Sequence, residues 1–161
     1  MSGKTFNLEV TRRFDAPVEL LWNAWTDPDD VMRWWGPTGF TSPVARRDVR
    51  VGGRSLVCMR TPDGHDMYNT WTYHAIEPLH RLEFVLNFAD GDGNILDPAS
   101  MGLPPGIPRD VPHVVTFATT SDGQTEMTVT ESGYTAEQVV EISRTGLNQS
   151  LDKLAASLAA R

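Results

Sequence analysis

Leu82, Phe84, Leu86 and Phe88 alternate with Glu83, Val85, Asn87 and Ala89. This period of two predicts a half-buried strand over residues 81–89, and residues 66–77, before Glu77-Pro78-Leu79-His80, predict its hairpin partner. Residues 41–51 and 54–61 flank Gly52-Gly53, a hairpin signal, and residues 113–120 and 124–132 flank Ser121-Asp122-Gly123. Residues 5–14 suit a first strand. A helical period follows it: Val18, Leu21, Trp22 and Trp25 share one face, with Pro17 and Glu19 in the first turn. Asp27-Pro28 ends that helix and starts a second, Asp27 as its cap, which carries Met32 and stops in Trp34-Trp35-Gly36-Pro37. The chain closes with a long helix over residues 135–160. Thr135 and Gln138 match a capping box there, and Val140, Leu147, Leu151, Leu154 and Leu158 form its apolar face. Residues 90–112, with Pro98, Pro104, Pro105, Pro108 and Pro112, fit neither period and predict either a lid or binding loop or a plain surface insertion.

One strand, two short helices, six strands and one long helix make an α+β arrangement, with 1–161 as one domain. An antiparallel sheet must then bury one face under the single long helix, and space remains where the two diverge. Trp34 and Trp35 are expected as plugs at the mouth of that space, packed inward while Gly36 and Pro37 turn the backbone.

Charge narrows the partners. A net charge of −7 argues against nucleic acid, and Arg46, Arg47, Arg50 and Arg54, with Asp48 among them, are expected on a solvated hairpin face. No apolar run reaches the ~20 residues of a membrane span, so membrane insertion is not expected. MSGKTFNLEV has no apolar core of a secretory signal, and the single Cys58 excludes an internal disulfide. Both fit a cytoplasmic location.

Metal and cofactor chemistry find no pattern. His65, His74, His80 and His113 lack ligand spacing and are expected as surface or hairpin residues; Cys58 has no CxxC partner. In the run DGDGN (90–94), Ile95 replaces the glycine and Met101 the terminal glutamate of a calcium loop. No cofactor is expected.

Strand parity puts Ser55, Val57, Met59, Asn69, Trp71, Tyr73, Leu82, Phe84, Leu86, Phe88, Val115, Phe117, Met127, Val129 and Glu131 on one face. Most of these are core. The polar members, Asn69, Tyr73 and Glu131, with Arg144 and Asn148 on the last helix, give that face the character of a ligand cavity. A Glu131–Arg144 pair would anchor a polar ligand group there, unless both reach solvent at the rim. Acid–base chemistry by Glu131, Tyr73 or His113 is compatible with the pattern but not selected by it.

FDAPVELLWNAWTDPDDVMRWWGP, DVRVGG, Tyr73 with Ile76-Glu77-Pro78 and Arg81-Leu82, and SLDKLAASL resemble the activator of heat-shock-protein-90 ATPase homologue-like family. That family belongs to the START-like, or SRPBCC, superfamily. The resemblance implies the helix-grip fold, a curved antiparallel sheet around a long carboxy-terminal helix. It also implies a deep cavity between them, used in the superfamily for lipids, sterols, polyketides and other apolar molecules. Two positions depart from the pattern: Trp71 stands where glycine is common, and Leu147 where tryptophan is frequent. If both face inward, aromatic bulk has moved from helix to sheet.

The expected function is binding of a small apolar ligand in that cavity, by Trp34, Trp35, Met59, Asn69, Trp71, Tyr73, Phe84, Leu86, Phe117, Met127, Glu131, Arg144, Leu147 and Asn148. The alternatives are an enzyme of cyclase, dehydratase or hydrolase type in the same cavity, and a protein-interaction module related to chaperone ATPase activators. The eukaryotic co-chaperones carry a further amino-terminal domain that is not among these residues. A homodimer is expected, because relatives pair and a sheet face or edge is otherwise exposed.

Overall fold

A computed structural model describes residues 4–43 and 45–160. Residues 1–3 of the stretch read for a signal, Val44 of the expected strand over 41–51, and Arg161 lie outside the described residues. The elements are β1 (Phe6–Phe14), α1 (Val18–Thr26), α2 (Pro28–Trp34), β2 (Ala45–Arg46), β3 (Arg54–Arg60), β4 (Asp66–Glu77), β5 (Arg81–Ala89), β6 (Val111–Thr119), β7 (Thr125–Tyr134) and α3 (Glu137–Ala159). The strands form one antiparallel, curved sheet in the order β1-β7-β6-β5-β4-β3-β2, and α3 lies in its concave face. Leu147, Leu151, Leu154 and Leu158 of α3 are buried in the core.

β5 has the bounds that its alternation predicts and β4 those expected of its hairpin partner, and Asp27 caps α2 by accepting from the N–H groups of Asp29 and Asp30 at 2.9 and 3.2 Å. Four expectations need correction. The strand expected over residues 41–51 shrinks to the two residues of β2, because the chain turns inward after Arg46. Arg47 is therefore not on a solvated hairpin face. Its guanidinium lies 4.5 Å from the Trp71 ring centre and donates to the Trp25 carbonyl. The capping box at Thr135 is not made. Ala136 is the residue before α3, and the Thr135 N–H donates instead to the Gly106 carbonyl at 2.9 Å. Finally, β6 begins at Val111 and takes Pro112 into the sheet opposite Val85.

The segment between β5 and β6 is pinned at its far end. A 3₁₀ turn spans Pro98–Met101, Asn87 holds the Arg109 carbonyl at 2.8 Å, and Gly106 packs directly on Ala136. Gly106 has φ +113°, and a Cβ there would come within 2.8 Å of the Ala136 Cβ, so a glycine is required.

The core centres on Trp25. Its ring lies 4.8 Å from Trp34, 6.3 Å from Trp35, 5.9 Å from Trp71 and 6.3 Å from Phe84, centre to centre. Its Nε1–H points at the Met127 sulfur, 3.1 Å away. Trp25→Ala is therefore expected to cost about 3–5 kcal/mol in urea unfolding, against about 1 kcal/mol for Asp27→Ala, which removes only a cap. Equal losses would show that the cluster is not the core's centre.

Candidate functional site

A cavity of about 160 Å³ lies where α3 leaves the sheet. Its floor is the inner face of β3 to β7, through Met59, Asn69, Leu86, Phe88, Val111, His113 and Glu131. Ser143, Gly146, Leu147 and Ser150 of α3 form the opposite wall, Trp35 to Pro37 one end, and Ile107 of the long loop a further side.

The Trp35 end is built by a turn that needs glycine. Gly36 has φ +107°, and a Cβ there would stand 3.0 Å from the Phe40 Cβ. Lys153 on α3 ties the turn down by donating to the carbonyls of Gly36, Pro37 and Phe40 at 2.9, 3.4 and 3.0 Å. Trp34 and Trp35 both point inward, but they do different things. Trp34 is fully buried under the cavity end, with Nε1 donating to the Ala24 carbonyl at 2.9 Å. Trp35 lines the cavity, and its Nε1–H donates to Asn69 Oδ1 at 3.1 Å.

That last bond orients Asn69. An indole N–H can only donate, so it selects the amide oxygen and leaves Nδ2 on the other side. Asn69 is 1% exposed, and Nδ2 has no hydrogen-bond partner. A buried amide donor without a partner costs free energy on the order of 1–3 kcal/mol.

The opposite end is polar and paired. His113, 4% exposed, stacks on Phe84 with ring centres 4.8 Å apart, and its Nδ1 lies 2.9 Å from the Val111 carbonyl, to which it donates. Its Nε2 is 3.5 Å from Glu131 Oε2, an ion pair whenever the ring is protonated. Tyr134 donates its hydroxyl proton to Glu131 Oε1. Burial on its own pushes the Glu131 carboxyl up; the adjacent His113 and the hydrogen bonds from His113 and Tyr134 outweigh it, holding the group below the ordinary carboxylate range. Burial, and then the charge of Glu131, push the Tyr134 phenol well up. His113 thus stands on the β6–β7 hairpin, one of the two places expected for it, but it faces inward and is buried, not at the surface. Register could have found it. The hairpin turn pairs Thr119 with Thr125, so paired numbers sum to 119 + 125 = 244, which places His113 opposite Glu131.

Of the residues expected to form the site, the cavity brings together Trp35, Met59, Asn69, Leu86, Glu131 and Leu147. Trp34, Trp71, Tyr73, Phe84, Phe117 and Met127 are core behind its wall. Trp71 stacks on Phe84 at 4.5 Å, Phe117 meets Trp22 edge-on at 5.6 Å, and Tyr73 shares a 2.7 Å hydrogen bond with Ser55. Burial pushes the Tyr73 phenol up, which leaves it no use as a base at neutral pH. The Glu131–Arg144 pair is not made. Arg144 donates to the Glu9 carbonyl at 3.0 Å and stands 3.5 Å from Glu141, while Asn148 accepts from Arg12 at 3.4 Å. Both belong to the seam between α3 and β1. Among the described residues no three His, Cys, Asp or Glu side chains gather as a metal site, and no helix is long and apolar enough to cross a membrane.

The family model described as "Activator of Hsp90 ATPase homolog 1-like protein" matches residues 15–159. The chain belongs to this family. Its fold recurs in a Chromobacterium violaceum protein at 27% identity and TM-score 0.77, covering 94% of this chain and 96% of that one. A Mycobacterium smegmatis protein matches at 28% identity and TM-score 0.75, covering 100% and 98%. An Arthrobacter aurescens protein matches at 26% identity and TM-score 0.76, covering 96% and 87%. No curated protein matches the chain.

The lowered Glu131 carboxyl sets a pH dependence. A carboxylate with a folded pKa below its unfolded value of about 4.3 contributes stability above that pH and loses it as pH falls through the folded value. Urea midpoints of the wild type should therefore converge on those of Glu131→Gln as pH falls below about 4.3. A constant gap between them down to pH ~2 would contradict the assignment.

Proposed function

We propose that this family member binds a small, largely apolar molecule, without covalent chemistry, in the cavity between the sheet and α3. The carrying observation is the lining itself: Trp35, Met59, Leu86, Phe88, Ile107, Val111 and Leu147 make apolar walls with few polar groups among them. Pockets that hold small molecules have this composition, because apolar burial supplies affinity and a few polar groups fix orientation. The helix-side departure supports the same reading, since Leu147 lines the cavity where a tryptophan would fill it.

An enzymatic reading finds less support. Glu131 accepts from Tyr134 and faces His113, and His113 uses its other nitrogen on the Val111 carbonyl. Proton transfer to a substrate would have to break one of these contacts first. The interaction-module reading has no feature of its own among the exposed residues, where Met32, Val51 and Ile142 stand on separate elements or turns.

A single-ring apolar probe such as toluene should bind the wild type saturably with about 1:1 stoichiometry and change the emission of Trp35. Leu147→Trp should lower that affinity at least 10-fold (about 1.4 kcal/mol) with stability retained or raised, because the ring occupies the cavity. Trp71→Gly should leave the mouth intact and add space behind it. Equal binding by wild type and Leu147→Trp, or no saturable binding by any form, would remove the proposal.

A further inference from the structure

The charge at the polar end of the cavity narrows the ligand further, on the premise that the cavity is a binding site. Among the described residues that line it there is no lysine, arginine or aspartate, and Glu131 and Tyr134 are the only titratable groups besides His113. These three stand on β6 and β7; β3, β4, β5, the long loop and α3 present none to the cavity. Lys153, near the other end, is occupied by the carbonyls of Gly36, Pro37 and Phe40.

Glu131 Oε1 is taken by the Tyr134 hydroxyl, whereas Oε2 faces only His113 Nε2, 3.5 Å away. A charge-assisted hydrogen bond normally closes to about 2.7–2.9 Å, so this is not a tight ion pair. The Val111 carbonyl can only accept, so its 2.9 Å contact puts a proton on His113 Nδ1. When the ring is neutral, Nε2 is then a bare lone pair aimed at Oε2: two acceptors face each other with a negative charge and no donor between them. A buried carboxylate in that state is uncompensated, which is costly. Either a second proton on His113 or a cation from the cavity relieves it. One nitrogen can stand about 2.9 Å from both atoms, because they are only 3.5 Å apart. The Glu131 side chain lines the cavity and keeps 11% of its surface open, so a ligand can reach it.

We infer that the cavity takes a small single-ring amine in its ammonium form, whose N–H groups bridge Glu131 Oε2 and His113 Nε2 while its ring lies among Trp35, Leu86, Phe88 and Leu147. At about 160 Å³ the cavity is close to the apolar cavity of about 150 Å³ that holds benzene, so one ring fills it. The ammonium supplies both the missing donor and the missing positive charge. A hydroxyl supplies only the donor, a hydrocarbon neither, and an anion adds a second negative charge beside Glu131. The amine and the second His113 proton compete for one gap, so each excludes the other.

The test titrates the protein by calorimetry and tryptophan emission with four probes of similar shape: benzylamine, benzyl alcohol, toluene and benzoate. At pH ~8 benzylamine should bind with 1:1 stoichiometry, about 10-fold or more tighter than benzyl alcohol or toluene, and benzoate should bind most weakly. Benzylamine affinity should rise as pH is raised from about 5 to 8, the range in which imidazoles lose their proton, while toluene affinity stays level. Glu131→Gln should remove the advantage of benzylamine over toluene. Should that variant fold poorly, the His113 ring resonances of the wild type serve instead; benzylamine should move their titration to lower pH and toluene should not. Equal binding of benzylamine and either neutral probe, a preference for benzoate, amine affinity that is flat or falls with rising pH, or an unmoved His113 titration would overturn the inference while leaving the cavity a binding site. Failure of all four probes to bind saturably would overturn the inference and the binding reading together.

Discussion

Trp25 is the ring through which the two short helices are joined to the sheet. From α1 it meets Trp34 and Trp35 at the end of α2, Trp71 on β4 and Phe84 on β5, and it donates to Met127 on β7. Helices of nine and seven residues, such as α1 and α2, are far too short to be stable alone in water. They persist because their tryptophans are anchored in a sheet-borne aromatic cluster. The Trp-Trp-Gly-Pro turn inherits its position from that cluster, and Lys153 then fixes the turn to α3. Aromatic bulk sits at a turn here because the turn is a corner of the core, with Trp34 beneath and Trp35 as its inner surface.

The cavity follows from where bulk is absent. Trp71, fully buried, fills the sheet side, and its stack on Phe84 closes the space behind. Leu147 on α3 lines the cavity, so free volume lies against the helix. The opening is therefore at Asn69, Glu131 and the helix and not at Tyr73 and Phe84, which are packed in the core. A small residue at Gly146, next to Leu147, keeps that wall low.

Elements whose signals are local were legible in the sequence. The alternation in β5, the turn that gives it β4 as a hairpin partner and the Asp27 cap depend on neighbours in the chain, and all are found where expected. What could not be read depends on distant partners. β2 is short because Arg47 finds the Trp71 face and the Trp25 carbonyl, contacts across 24 and 22 residues. The capping box fails because Gly106 takes the Thr135 N–H. Parity assigns Glu131 to the inner face, and carried back from Val115 and Phe117 it assigns His113 there too; only the β6–β7 register places the two opposite each other. Arg144 was misplaced for a different reason. It sits on the flank of the apolar stripe, about 40° from Val140 on the helical wheel, and the packing of α3 against β1, which no local pattern encodes, brings it onto the Glu9 carbonyl. There it covers part of an exposed sheet edge, a position where a charged side chain discourages pairing with another strand.

The polar end of the cavity is one reason for proposing binding over turnover at this site. A catalytic acid or base must be free to exchange a proton with the substrate, and its affinity for that proton must suit the task. Glu131 is held as a carboxylate by a tyrosine and a histidine, and the histidine is held by a backbone carbonyl and by stacking on Phe84. Such mutual satisfaction rigidifies a buried network, which favours a fixed orientation for whatever contacts it. Asn69 is the complement: its Oδ1 accepts from the Trp35 indole, while neither N–H of its buried Nδ2 has an acceptor. A folded protein keeps unpaired buried donors at a cost. The two polar groups of the cavity thus differ in kind, a carboxylate closed into a network on one side and an amide left part-satisfied on the other.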